Sequence, residues 1–406
     1  MGSGQGAAGQ FASCGVGVIL TLSDEQQQLA KTVRGLLERR LPEAELRRLM
    51  ATETGQDDEL WSGLADMGLL GLTVPEEFGG LGCGWSDVGV VLEQTGRALL
   101  CVPYFSTAVL ATATLIGSKD EVLQERWLPK IASGGCTATA ALGPDRHGRM
   151  TASGQLRASA GAGDRWSLTG SLSYVIDGLT ADLLLVSADT DLGTALFAVD
   201  GSAHGLDKSA LSTLDLTRKL ADLHFTDVAA TRVGGSVPVD DVIETVLDIG
   251  STCLAAEAMG GMAAVLDTAV EYAKTRYQFG RPIGSFQAIK HLCADMLVDL
   301  ELARSAVDHA LWAADHSQSD LPIAGCLAKL SACDAYFRLA GNNIQIHGGI
   351  GFTWEHSAHL HLKRAKSSQL SFGDSVVQRR RLADLVPIPA HAAANTDHGD
   401  ERVLVR

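Results

Sequence analysis

Two stretches of this sequence gather residues that hold anions and flat rings. In RYQFGRPIGSFQAIKH, residues 276–291, Arg276 and Arg281 flank Phe279-Gly280 at a break between helical runs. That arrangement suits a phosphate held beside an aromatic plane. The same letters also describe a plain helix connection in which Gly280 and Pro282 make the turn, and spacing alone weighs the two readings equally. In QIHGGIGF, residues 345–352, Gly348, Gly349 and Gly351 let a ligand approach the backbone, and Gln345 offers both a donor and an acceptor. Taken alone, this segment reads more simply as a helix end with glycine caps.

Other chemical signals are weaker. His347, His356, His359 and His361 include an HxxH pair that would share a helical face. No neighbouring carboxylate or thiolate completes an evident metal set, so packing histidines are expected and no metal site is assigned. Gly4 to Gly9 fits GxGxxG letter for letter, yet no strand precedes it, and a dinucleotide fingerprint needs strand, turn and helix together. The eight cysteines contain no CxxC pair and read as reduced thiols in a cytoplasm. Cys326 and Cys333, two helical turns apart, read as buried packing.

These residues need elements to position them. Ser23 and Gln26 have the capping-box spacing, so the first helix is expected to start there. Helical periodicity then runs through Leu29–Leu37, Leu60–Leu70, Val88–Leu100 and Val122–Ile131, interrupted by the Pro/Gly loop from Val74 to Gly84. From about Cys136 to Val233, short apolar runs separated by Gly, Asp and Ser predict an antiparallel sheet or small barrel. After Val239 the helical period returns in long segments that suit a four-helix bundle. The expected organisation is mainly α with an inserted β-domain. Residues 1–20 form an extension, 21–133 a helical domain, 134–236 a middle β-domain, 237–388 a helical bundle and 389–406 a flexible tail. No stretch reaches the length of a membrane span, and the formal net charge of -15 argues against nucleic acid or an anionic membrane as main partner.

Together the motifs resemble the acyl-CoA dehydrogenase family, in its actinobacterial form. The resemblance rests on LADMGLLGLTVPEEFGGLG (64–82), GSLSYVIDGLTADLLLV (170–186), AVEYAKTRYQFGRPIGSFQAIKH (269–291) and QIHGGIGFT (345–353). It implies the same three-domain order and FAD at a subunit interface. Arg276, Gln278 and Phe279 would then meet the adenylate-pyrophosphate half of a neighbour's flavin, and Gln287 with Gln345, Gly348 and Gly349 would complete the grip. Tyr174 and Ile176 stand where the family has Trp-x-Thr beside the isoalloxazine. The implied reaction is α,β-dehydrogenation of an acyl-CoA: a carboxylate takes the α-proton, the β-hydride passes to flavin N5, and an electron-transfer flavoprotein accepts the electrons.

The sequence departs from that pattern at the base. Phe372, in SFGDS, occupies the usual glutamate position, and the family's alternative position on the first bundle helix falls on Gly250. The remaining candidates are Glu257, seven residues along the helix from Gly250, and Asp374, which would equally serve as a helix cap. Glu257 lies in the apolar run AAEAMGGM, where a carboxylate is either functional or paired with a backbone or arginine partner. ALGPDRHG, residues 141–148, replaces the family's TEPGAGSD-like loop. Three functions follow: a dehydrogenase assembled as dimer or tetramer; a FAD-sharing, non-catalytic or half-catalytic subunit of a heterotetramer with a paralogous chain, as in actinobacterial relatives acting on bulky acyl-CoAs; or a flavin oxidase or monooxygenase on the same fold.

Overall fold

The structure, a computed structural model, describes residues 22–161 and 165–386. The 1–20 extension with its GxGxxG run, and the 389–406 tail, lie outside the described residues.

The chain begins with six α-helices: α1 (Asp24–Arg40), α2 (Glu43–Ala51), α3 (Asp58–Asp66), α4 (Trp85–Ala98), α5 (Thr112–Ser118) and α6 (Glu121–Ala132). The capping box forms as its spacing predicts: Gln26 N donates to Ser23 Oγ at 3.1 Å and Ser23 N to Gln26 Oε1 at 3.1 Å. Sequence periodicity gave no helix between α4 and α6, where the chain instead forms a π-helical stretch, Phe105–Ala111, running into α5. Every residue of the π-helical stretch is buried. A segment apolar on all sides carries no 3.6-residue contrast to read.

Seven strands follow: β1 (Ala138–Ala141), β2 (Ser153–Ala160), β3 (Trp166–Ile176), β4 (Leu183–Thr190), β5 (Gly193–Asp200), β6 (Leu206–Ala210) and β7 (Leu220–Arg232). They run in the order β1-β4-β2-β3-β7-β5, and β5 also pairs with β4, closing the sheet into a small barrel. Most pairs are antiparallel, whereas β1 and β2 meet β4 in parallel. Leu168, Val186, Phe197 and Phe225 fill its interior.

Three long helices form the C-terminal bundle: α7 (Val239–Thr275), α8 (Gln287–His316) and α9 (Leu321–His347). The place of a fourth is shared by two short ones, α10 (Ala358–Leu370) and α11 (Ser375–Leu385). Phe372 at φ 57 and Gly373 at φ 86 turn the chain between them. Helix α7 is long and apolar enough to cross a membrane, which corrects the sequence reading, but 89% of its most apolar window is buried inside the protein. It is the core rod, with α4, α8 and α9 packed around it.

Candidate functional site

The first motif folds as a tight hairpin at the end of α7. Tyr277–Gln278 pairs with Arg281–Pro282, with Phe279 at φ 53 and Gly280 at φ 76 between them. Two adjacent residues of positive φ give the primed turn that joins twisted strands, and Gly280 adopts it without cost. Phe279 does not: a bulky residue there is strained, and its ring is 92% exposed. Its edge meets Phe286 at 6.1 Å, and the Arg281 guanidinium lies 4.2 Å over the Phe286 ring. Arg276 closes the C-terminus of α7, and Gln287 opens α8. Arg276, Gln278 and Gln287 are exposed.

The second motif stands beside the first. Tyr272, one turn before Arg276, stacks on His347 at 4.2 Å, tying the end of α7 to the end of α9. Burial lowers the His347 pKa, which favours the neutral ring for stacking. Gln345 is exposed on the last turn of α9. Gly348 has φ 63, while Gly349 needs no special backbone angle; a Cβ built on either would meet nothing within 4 Å. Glycine at 349 is therefore unexplained by packing within its own chain.

Tyr174, Ile176, Phe372 and Asp374 come together elsewhere, around a cleft of about 620 Å³ between the barrel and α10–α11. Tyr174 sits at an irregularity of the β3–β7 ladder with φ 62, and its side chain is 58% exposed. Ile176 is buried beneath the same wall. Neither grip loop lines this cleft.

Phe372, 2% exposed, lies against Gly250. A Cβ at Gly250 would stand 3.4 Å from Phe372 Cε1 and 3.1 Å from Leu110 Cδ2, and the Phe105 ring is 6.0 Å from that of Phe372. The two positions expected for a glutamate thus touch each other through hydrocarbon. Asp374 caps α11, its Oδ1 accepting from Val376 N and Val377 N, each at 3.0 Å.

Glu257 does not join them. It lines a void of about 20 Å³, not the cleft, and both its oxygens are taken: Oε2 by Arg218, Oε1 by Arg364 Nη1 at 3.1 Å. Arg364 Nε also donates to Asp215 Oδ2 at 3.0 Å and its Nη2 to Leu100 O at 3.1 Å. This arrangement stitches the N-terminal helices, the barrel's connecting loop and the bundle together. The geometry corrects the expectation of Glu257 as base: a carboxylate held between two guanidiniums is a structural ion pair. Of the readings open for Glu257, pairing with arginine is the one realised.

A second cluster went unseen in the sequence. The loop that replaces the TEPGAGSD-like segment drives Arg149, fully buried, between α7 and α11. Arg149 Nε donates to Asp145 Oδ2 at 2.8 Å and Nη1 to Asp248 Oδ1 at 2.5 Å; Arg381 Nη2 reaches Asp248 Oδ2 at 2.8 Å. The one local signal was Asp145 four residues before Arg149 in a loop. Among the described residues, no group of three His, Cys, Asp or Glu side chains is placed to hold a metal.

Residues 23–135 match the acyl-CoA dehydrogenase N-terminal domain and residues 241–386 its C-terminal domain. The acyl-CoA dehydrogenase IpdE2 of Mycobacterium tuberculosis is 32% identical over 364 residues, covering 89% of this chain and 97% of the relative. Acyl-CoA dehydrogenase FadE27 of the same organism is 33% identical, over 91% and 99%. Among solved structures, a chain of the ChsE4-ChsE5 complex from Mycobacterium tuberculosis superposes with TM-score 0.82 at 31% identity, covering 91% of this chain and 100% of that one. Helical domain, barrel and bundle agree with these matches: the chain belongs to the acyl-CoA dehydrogenase family, an FAD-dependent oxidoreductase family.

Proposed function

We propose that this chain is the flavin-sharing subunit of a heteromeric acyl-CoA dehydrogenase, in which a paralogous partner supplies the base that removes the α-proton. The observation that carries this reading is the contact of Phe372 with Gly250. Neither side chain can accept a proton, and the nearby carboxylates are committed, Glu257 to two arginines and Asp374 to a helix N-terminus.

The residues that would hold FAD fit the part. Phe279 presents an uncovered ring, Arg276 an exposed guanidinium for pyrophosphate, and Gln345, Gly348 and Gly349 a polar, open backbone. Gln278 and Gln287 add exposed amides beside them. Bound FAD supplies the hydride acceptor for the β-hydrogen. This chain's own contribution is to hold the adenylate half of the cofactor whose ring faces the partner's substrate. The heteromeric ChsE4-ChsE5 assembly, to which the chain is similar, supports such a division. An electron-transfer flavoprotein would then receive the electrons.

The test is the visible spectrum of the chain purified alone and co-expressed with its paralogue, before and after anaerobic acyl-CoA. A colourless single chain and a yellow complex that bleaches are expected, with bleaching abolished by replacing the partner's glutamate base and unaffected by Asp374→Asn here. A yellow homo-oligomer of this chain that bleaches by itself would overturn the reading.

A further inference from the structure

Beside the flavin-grip loops lies a groove of about 460 Å³, which adjoins the cleft at the barrel and shares Leu214, Lys363 and Lys366 with it. Its walls are Leu214, Phe352 and Trp354, which are 65%, 84% and 62% exposed. So many large apolar side chains around one groove mark a surface that another molecule covers. Lys363 and Lys366, three residues apart on one face of α10, form its floor.

Both lysines are half-buried, and neither is ion-paired among the described residues. The Lys363 ammonium rests 4.0 Å over the Trp354 ring, and Lys366 Nζ donates to Gln369 Oε1 at 2.9 Å with the Phe337 ring 5.3 Å away. The carboxylate nearest in the field of Lys363, Asp215, is already engaged by Arg364. Burial lowers the Lys363 pKa. In a chain of 48 acidic and 33 basic residues, two cations held in an apolar groove without an anion form a local exception.

We infer that this groove seats a segment of the paralogous partner in which apolar side chains flank an aspartate or glutamate. The inference rests on the heteromeric reading and adds to it the place and chemistry of contact. The apolar walls call for hydrocarbon, and the floor calls for one or two carboxylate oxygens. The groove is also continuous with the flavin grip: Ile344 and Phe352 line it, and they bracket Gln345 to Gly349. A neighbour that brings its flavin to those glycines passes over Lys363 and Lys366. A flavin pyrophosphate is the poorer occupant, because Leu214, Phe337, Ile344, Phe352 and Leu362, the larger part of the lining, offer it no hydrogen-bond donor.

The experiment is zero-length carbodiimide crosslinking of the co-purified complex, with peptide mass spectrometry, alongside the Lys363→Glu/Lys366→Glu and Lys363→Arg/Lys366→Arg double variants. Crosslinks from Lys363 or Lys366 to an acidic residue of the partner are expected. The glutamate pair should abolish the complex in size-exclusion and native mass spectrometry while the thermal melt of the free chain is unchanged, and the arginine pair should retain the complex. A glutamate variant that assembles as tightly as wild type would overturn this docking site and leave the heteromeric reading standing. One that keeps its partner but loses flavin would overturn it in favour of a phosphate. Wild-type chain that forms only homo-oligomers, crosslinked through these lysines to its own copy, would overturn both.

Discussion

At the loop end of the bundle Phe279 is 92% exposed, and a Cβ at Gly348 or Gly349 would meet no atom within 4 Å; in the first half of α7 Gly250 is roofed by Phe372 and Leu110. The two regions share a helix and differ in what completes them. At the loop end, charged and aromatic side chains are displayed at the surface, with Phe279 and Arg281 touching only Phe286 among the aromatic contacts of the described residues. In the centre, eight buried charged side chains answer one another from within, in the Arg218–Glu257–Arg364–Asp215 and Asp145–Arg149–Asp248–Arg381 clusters. The difference separates two jobs that one subunit can otherwise combine: presenting a surface to a neighbour's cofactor and hosting a reaction. On the function proposed above, this chain keeps the first and has built over the second.

If the centre is structural, breaking it should cost stability. Arg364→Ala leaves Asp215 without its guanidinium and Glu257 with one instead of two, all at 2–5% exposure. The expected loss is about 3–5 kcal/mol, read by chemical denaturation. A variant as stable as wild type would sink the view of this cluster as the lock between domains.

Asp177 tests the same region through pH. It accepts from Ser106 Oγ at 2.6 Å, and burial pushes its pKa from 3.8 up to about 6. The folded state therefore binds a proton that the unfolded chain has released between those values, and this group's contribution to stability falls as pH rises through that window. His361, half-buried against Tyr336 and pushed down to about 3 by desolvation, works in the opposite direction below its ordinary value of 6.5. Comparing Asp177→Asn with wild type isolates the aspartate. The variant should gain relative stability from about pH 4 to pH 6, and a pH-independent difference would show that Asp177 stays ionised throughout.

The loop end should behave the other way round. Arg276→Ala removes no contact that holds this chain together, so its melt should match wild type. Flavin retention in the complex should fall by roughly ten- to a hundredfold, the worth of a charge-assisted hydrogen bond of about 1.5–3 kcal/mol. Equal flavin content in wild type and variant, measured after dialysis, would count against Arg276 as a cofactor ligand.

The contrast also explains what could be read without coordinates. The domain order was legible because α1, α4 and α8 are amphipathic and the strands are punctuated by Gly, Asp and Ser, local features with a period. Asp374 was legible as a cap because capping is a contact across two or three residues. The Phe105–Ser118 helices were not, since burial on every side erases the period. The ion clusters were not either: Glu257 meets Arg218 and Arg364 across 39 and 107 residues, and no local pattern encodes such a pairing. The proposed flavin-grip residues rest on resemblance; composition and spacing alone left 276–291 balanced between a ligand site and a turn.

The smallest change gives the sharpest version of the comparison. Gly349→Ala adds one methyl group at a position with no positive φ and no atom of this chain within 4 Å of the new Cβ. Within the chain it should be neutral, or slightly stabilising because alanine restricts the unfolded state, by about 0.4–1 kcal/mol. In the complex the same methyl group would stand where the backbone has been left bare for the adenylate of the neighbour's flavin. A melt unchanged or raised, together with weaker flavin binding in the assembly, is the expected pair of results. Gly250→Ala supplies the counterpart: its Cβ would press on Leu110 and Phe372 at 3.1 and 3.4 Å, so it should lower the melt of the free chain and leave flavin binding alone. If both alanines acted alike, on stability or on flavin, the loop end and the centre would not be doing different work.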